Sequence, residues 1–81
     1  MGSVIVYALR FDDGAIYVGM TKDWARRLEE HRQRKSPSVR RRKGNFEVIY
    51  TKSFENYQQG RVHEVYLKSG AGRKKLAVGE D

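Results

Sequence analysis

The sequence predicts an α+β fold, a small three-stranded antiparallel sheet flanked by helices in the order β-β-α-β-α-α. Three observations predict it. Two runs of β-branched and aromatic residues meet across an Asp-Asp-Gly turn near the start, and a third such run stands alone after residue 45. Stretches of helical spacing follow the second run and the third. With 81 residues the chain forms a single domain, 1–81, whose core is small: hydrophobic residues make up 38% and charged residues 33%.

Residues 4–11, VIVYALRF, make the first strand, and AIYVGM at 15–20 resumes the strand pattern after Asp12-Asp13-Gly14, giving a β-hairpin. Two loops fit this turn. If Asp13-Gly14 alone connects the strands, Tyr17 faces Arg10 and Tyr7 points to the opposite side of the sheet. If Asp12, Asp13 and Gly14 form a three-residue loop with Gly14 left-handed, Leu9 pairs with Tyr17 and Tyr7 with Gly19. The two tyrosines then share a face as diagonal neighbours, with open space for a ligand above Gly19. Simple core packing of both rings is the plainer reading.

Thr21 and Asp23 are each suitable N-caps for WARRLEEHRQRK, a helix that ends before Pro37. Trp24 and Leu28 mark its core-facing stripe, and Arg27 and His31, four residues apart, flank that stripe. Polar groups so placed need partners, whether an arginine snorkels and a histidine bonds within the fold or the two belong to a site.

From His31 to Lys43 the chain reads HRQRKSPSVRRRK, with seven Lys or Arg and no acid, a solvated basic connection. FEVIYTK at 46–52 makes the third strand. In FENYQQGRVHEVYLKSG, Val62, Val65 and Tyr66 recur at helical spacing, with Glu64 beside that stripe. Tyr57, Arg61 and Lys68 stand at i−7, i−3 and i+4 from Glu64, so a helix salt bridge to Lys68 is its ordinary reading. AGRKKLA, at 71–77, suits a last short helix.

Seventeen Lys and Arg against ten Asp and Glu leave a formal charge of +7, which favours a polyanionic partner. DNA is the first candidate and RNA stays open. No segment has the apolar length of a membrane span, and no leader is visible. The absence of cysteine removes disulfides, thiolate metal sites and cysteine nucleophiles, and it is compatible with a reducing cytoplasm, the expected location.

Taken together, VIVYALR, IYVGMT, WARRLEEH and GRVHEVYLK resemble the GIY-YIG nuclease family from residue 4 to about residue 77. The likeness is to its small stand-alone bacterial members, similar to the nuclease domain of structure-specific resolvases and of the excision-repair endonuclease. Two details depart from the signature: Ile5-Val6-Tyr7 replaces Gly-Ile-Tyr, and Val18 follows Tyr17 where the family has isoleucine.

The resemblance implies a DNA endonuclease of repair type that uses a single divalent ion, Mg2+ or Mn2+, and selects structure rather than sequence. It assigns Tyr7, Tyr17, Arg27 and His31 to catalysis and Glu64 to the metal. The residue that assists the nucleophile in several relatives, and the C-terminal asparagine of homing-type members, have no match here. In that reading Tyr7 orients or deprotonates the attacking water, which for a phenol with a pKa of about 10 requires nearby positive charge. Arg27 clamps the phosphate as charge builds, and Tyr17 and His31 position or share the proton.

Arg32, Arg34, Lys35, Arg40, Arg41, Arg42 and Lys43 form the expected electrostatic footprint on the nucleic-acid backbone. The chain is expected to act as a monomer, with a protein partner open as the source of target choice. The rival reading is a catalytically silent nucleic-acid-binding accessory module, against which stands a buried arginine beside a metal carboxylate. A basic scaffold for an acidic protein ranks last.

Overall fold

The computed structural model describes residues 3–34 and 45–77. Strand β1 (Val4–Phe11), strand β2 (Ile16–Thr21), helix α1 (Trp24–Arg32), strand β3 (Phe46–Phe54), helix α2 (Tyr57–Lys68) and helix α3 (Gly70–Ala77) follow in that order. The sheet is antiparallel in the order β2-β1-β3, so β1 is its central strand. The α+β class and the element order are those the sequence predicts. Among the described residues, no helix is long and apolar enough to cross a membrane.

The three-residue loop is the one adopted. Gly14 takes φ +87°, Phe11 N–H donates to the Ala15 carbonyl at 2.9 Å, and Leu9 pairs with Tyr17 and Tyr7 with Gly19. Asp13 Oδ1 accepts from Ala15 N–H at 2.9 Å, an Asx contact that fixes the turn.

Asp23 caps α1 by accepting from Arg26 N–H at 3.1 Å, while Thr21 Oγ1 accepts from Asp23 N–H at 3.1 Å. The two candidate caps thus act in series. The helix runs to Arg32 with Gln33 as its C-cap, three residues short of the expected end.

Strand β3 carries a bulge. Ala8 pairs with Tyr50 and Leu9 with Val48, leaving Ile49 as the extra residue. The bulge lets Ile49 and Tyr50, neighbours in sequence, both pack on Val6, Ala8, Val18, Leu67 and Leu76, the core between the sheet and α2 and α3. On the other face Tyr7, Leu9 and Phe11 form a second core with Ile5, Tyr17, Trp24 and Phe46, where α1 packs.

The expected apolar stripe of α2 is wrong. Val62, Val65 and Tyr66 are 72%, 52% and 41% exposed, and the buried face is Gly60, Glu64 and Leu67. The reason is that the helix approaches the sheet through a residue without a side chain: a Cβ on Gly60 would lie 2.5 Å from Val4 Cγ2 and 2.8 Å from Met20 Sδ. That approach turns Glu64 inward with Leu67 and leaves the two valines and Tyr66 outside.

Candidate functional site

The hairpin register sets Tyr7 and Tyr17 on the face that receives α1, with ring centroids 6.2 Å apart. Tyr7 is 1% exposed and lies 4.8 Å, centroid to centroid, from the Trp24 indole. The space above Gly19 is not left for a ligand, because the Tyr7 phenol itself fills it: a Cβ on Gly19 would meet Tyr7 Oη at 2.6 Å. A glycine opposite a tyrosine here means close approach of that tyrosine.

One turn beyond Arg27, His31 enters the same pocket of rings. Tyr7 Oη and His31 Nε2 are hydrogen-bonded at 2.9 Å in the interior. Tyr17 and Phe46 meet the imidazole edge-on, with centroids at 6.0 and 6.2 Å. Phe46 comes from the far side of the basic connection, and no sequence spacing announces it.

Burial pushes the Tyr7 phenol well above the ordinary tyrosine range, and Tyr17 adds to the rise through charge and a hydrogen bond. Arg27 pulls the other way, and Glu64 adds a smaller rise. The lowered value that a base would need is not found, because desolvation outweighs the guanidinium. His31 is held below its usual value by burial first and by Arg27 second, with Glu30 opposing. Its ring is therefore neutral near neutral pH.

Arg27 is not buried. Its side chain is 39% exposed, and Nη1 donates to Glu30 Oε1 at 3.0 Å, an i,i+3 pair that the sequence spacing contains. The expectation of a buried arginine is corrected to a guanidinium at the rim, where solvent and ligands reach it. Arg10 lies at the hairpin end, bonded to Glu47 across the sheet.

Glu64 is 7% exposed and projects from α2, on the other side of the sheet from α1, yet its charge reaches Tyr7. Arg61 Nη1 donates to its Oε1 at 2.9 Å, and Lys68 Nζ lies 3.4 Å from its Oε2. Among the described residues no three His, Cys, Asp or Glu converge as metal ligands. A carboxylate is a hard oxygen donor of the kind a divalent ion takes, but here both its oxygens are paired with cations, so Glu64 would hold an ion only once those pairs give way.

Arg32 is exposed and Arg34, at φ +58°, is half-buried, with its N–H donating to the His31 carbonyl at 3.0 Å. Lys35, Arg40, Arg41, Arg42 and Lys43 lie outside the described residues. An open depression of about 510 Å³ is lined by Arg10, Phe11, Asp12, Gly14, Phe46 and Glu47 and by none of the five candidate site residues.

A family profile described as the GIY-YIG catalytic domain matches residues 3–77. The UPF0213 protein OB0043 of Oceanobacillus iheyensis is 35% identical over 73 residues, covering 90% of this chain and 85% of its own. The UPF0213 protein CPE1444 of Clostridium perfringens is 28% identical over 73 residues, covering 90% and 78%. The solution NMR structure of the UPF0213 protein BH0048 from Bacillus halodurans superposes with a TM-score of 0.59 at 28% identity, over 94% of this chain and 83% of that one. None of these three names states an activity.

Proposed function

The chain belongs to the GIY-YIG family, and on that premise we propose that it is a magnesium-dependent endonuclease that hydrolyses phosphodiester bonds in DNA, choosing its target by structure rather than sequence. The observation that carries the reading is the buried hydrogen bond between Tyr7 and a neutral His31.

A phenol held protonated by burial is a poor stationary base, but it is a good relay. As the attacking water gives a proton to Tyr7 Oη, the phenol proton passes to His31 Nε2, which the lowered pKa keeps unprotonated. No phenolate need persist. In this tautomer the imidazole carries its resting proton on Nδ1. Tyr17 borders the relay and excludes water from one side, and Trp24 does so from another.

Arg27, exposed at the rim, turns from Glu30 to the phosphoryl oxygens, where its planar fork matches the charge that builds in the transition state. Glu64 is the carboxylate that would hold the metal. A bound magnesium ion supplies Lewis-acid stabilisation of the phosphoryl and leaving oxygens. The net charge of +7 supports a nucleic-acid substrate. A monomer acting on repair intermediates in the cytoplasm, with target choice from this domain or from a protein partner, completes the reading.

The test is cleavage of labelled single-strand, duplex, flap and four-way-junction DNAs, with magnesium or chelator, by the wild type and by Glu64→Ala verified as folded. Cutting that needs magnesium and disappears in the variant is the expected result. Binding without cutting by both proteins on every substrate would replace it with the accessory-module reading.

A further inference from the structure

Glu64 pairs with a cation at each carboxylate oxygen. Its side chain is 9% exposed, whereas those of Arg61 and Lys68, bonded to Oε1 and Oε2, are 56% and 48% exposed. The carboxylate cannot turn to solvent, but both its partners can. Only the cation ends of these pairs are half-exposed, and a phosphate offers an arginine the bidentate acceptor it prefers while leaving the buried carboxylate for another cation. Positions i−3 and i+4 set the cations on either side of Glu64 along the helix edge that carries it.

The charges do not suit a metal alone. The trio carries one net positive charge, and a divalent ion would raise it to three. Two backbone phosphates would restore it to one.

We propose that Arg61 and Lys68 are phosphate-binding residues of the site that pair with Glu64 only until nucleic acid arrives, so that nucleic acid and the divalent ion bind cooperatively. The proposal rests on the reading of Glu64 as the metal carboxylate. A backbone phosphate draws the two cations off and leaves the carboxylate oxygens to the ion. By linkage, the ion then tightens nucleic-acid binding by the same factor. Free protein holds the ion poorly, and its cleavage chemistry is assembled by the substrate.

The test measures Mn2+ binding by the loss of the free-ion EPR signal, for the wild type and Arg61→Gln/Lys68→Gln, each against its Glu64→Gln counterpart. Titrations are run with and without a phosphorothioate duplex, which keeps the backbone charge and resists hydrolysis. Without duplex, the double variant is expected to bind Mn2+ roughly tenfold more tightly than the wild type in the Glu64-dependent component. Duplex should tighten the wild type by a similar factor and leave the double variant unchanged.

Glu64-dependent binding that is no tighter in the double variant overturns the proposal while leaving the nuclease reading intact. No Glu64-dependent binding in any protein, with or without duplex, overturns the metal reading and this proposal with it. Both replaced side chains are half-exposed, so no cavity is opened. Should the double variant fail to fold, Arg61→Gln and Lys68→Gln separately carry the same comparison, each with about a threefold effect.

Discussion

In the proposed relay Tyr7 and His31 divide the work that a single lowered-pKa base would otherwise do. Tyr7→Phe removes the relay hydroxyl and keeps the ring, so cleavage should fall by about 10² to 10⁴ while circular dichroism and ring packing persist. Retention of full activity would remove Tyr7 from the mechanism. The pH profile follows from His31. Its folded pKa lies below the ordinary 6.5, so neutral imidazole is present at neutral pH and activity should fall on an acid limb whose midpoint is below 6.5. Stability should move in the same direction. The unfolded chain takes up the His31 proton first, so the contribution is complete above 6.5 and is lost as pH falls through the folded value. Tyr7 acts at the other end: its raised folded value gives a contribution complete below about 10 and lost as pH rises beyond it. Urea melts from pH 4 to 11 for the wild type and Tyr7→Phe separate the two, since the alkaline loss should shrink in the variant and the acid loss should remain.

Among the elements, the hairpin decides the site, because its loop length alone determines whether Tyr7 and Tyr17 share a face. Gly19→Ala tests that placement. The added methyl would meet Tyr7 Oη at 2.6 Å and Cζ at 2.7 Å, so the ring must shift off His31. We expect a loss of about 1–3 kcal/mol in denaturant unfolding and a larger fractional loss of cleavage. Much of this was legible beforehand. The turn residues, the Asp23 cap with Thr21 behind it, and the i,i+4 spacing of Arg27 and His31 are local signals, and the structure keeps them. The buried face of α2 was not legible, because apolar spacing favours Val62, Val65 and Tyr66, whereas the helix is seated by the close approach at Gly60. Nor was the loss of space above Gly19, which depends on where a distant ring comes to rest. Phe46 against His31, and the β3 bulge at Ile49, are long-range outcomes with no period to read.

At the scale of the whole molecule, the described residues have principal extents of 33 × 28 × 16 Å, and the full chain carries a formal charge of +7. A net charge of +7 on an 81-residue chain favours backbone contact over base reading. If binding neutralises about four phosphates, log K for duplex DNA should fall against log salt with a slope of about −3 to −4, measured by fluorescence anisotropy. A flat response would argue against an electrostatic footprint. The central position of β1 bears on something else, the order in which the chain finds its shape. Its pairing with β2 closes across a three-residue loop, whereas its pairing with β3 joins Asp12 to Asn45 over a separation of 33 residues. Hairpins of the first kind form in about 1–10 μs, and the slow step falls on the non-local partner. Substitutions in β3 should therefore register chiefly in the unfolding arm of a chevron plot and those in the hairpin in the refolding arm, making β1 a template on which the last strand arrives.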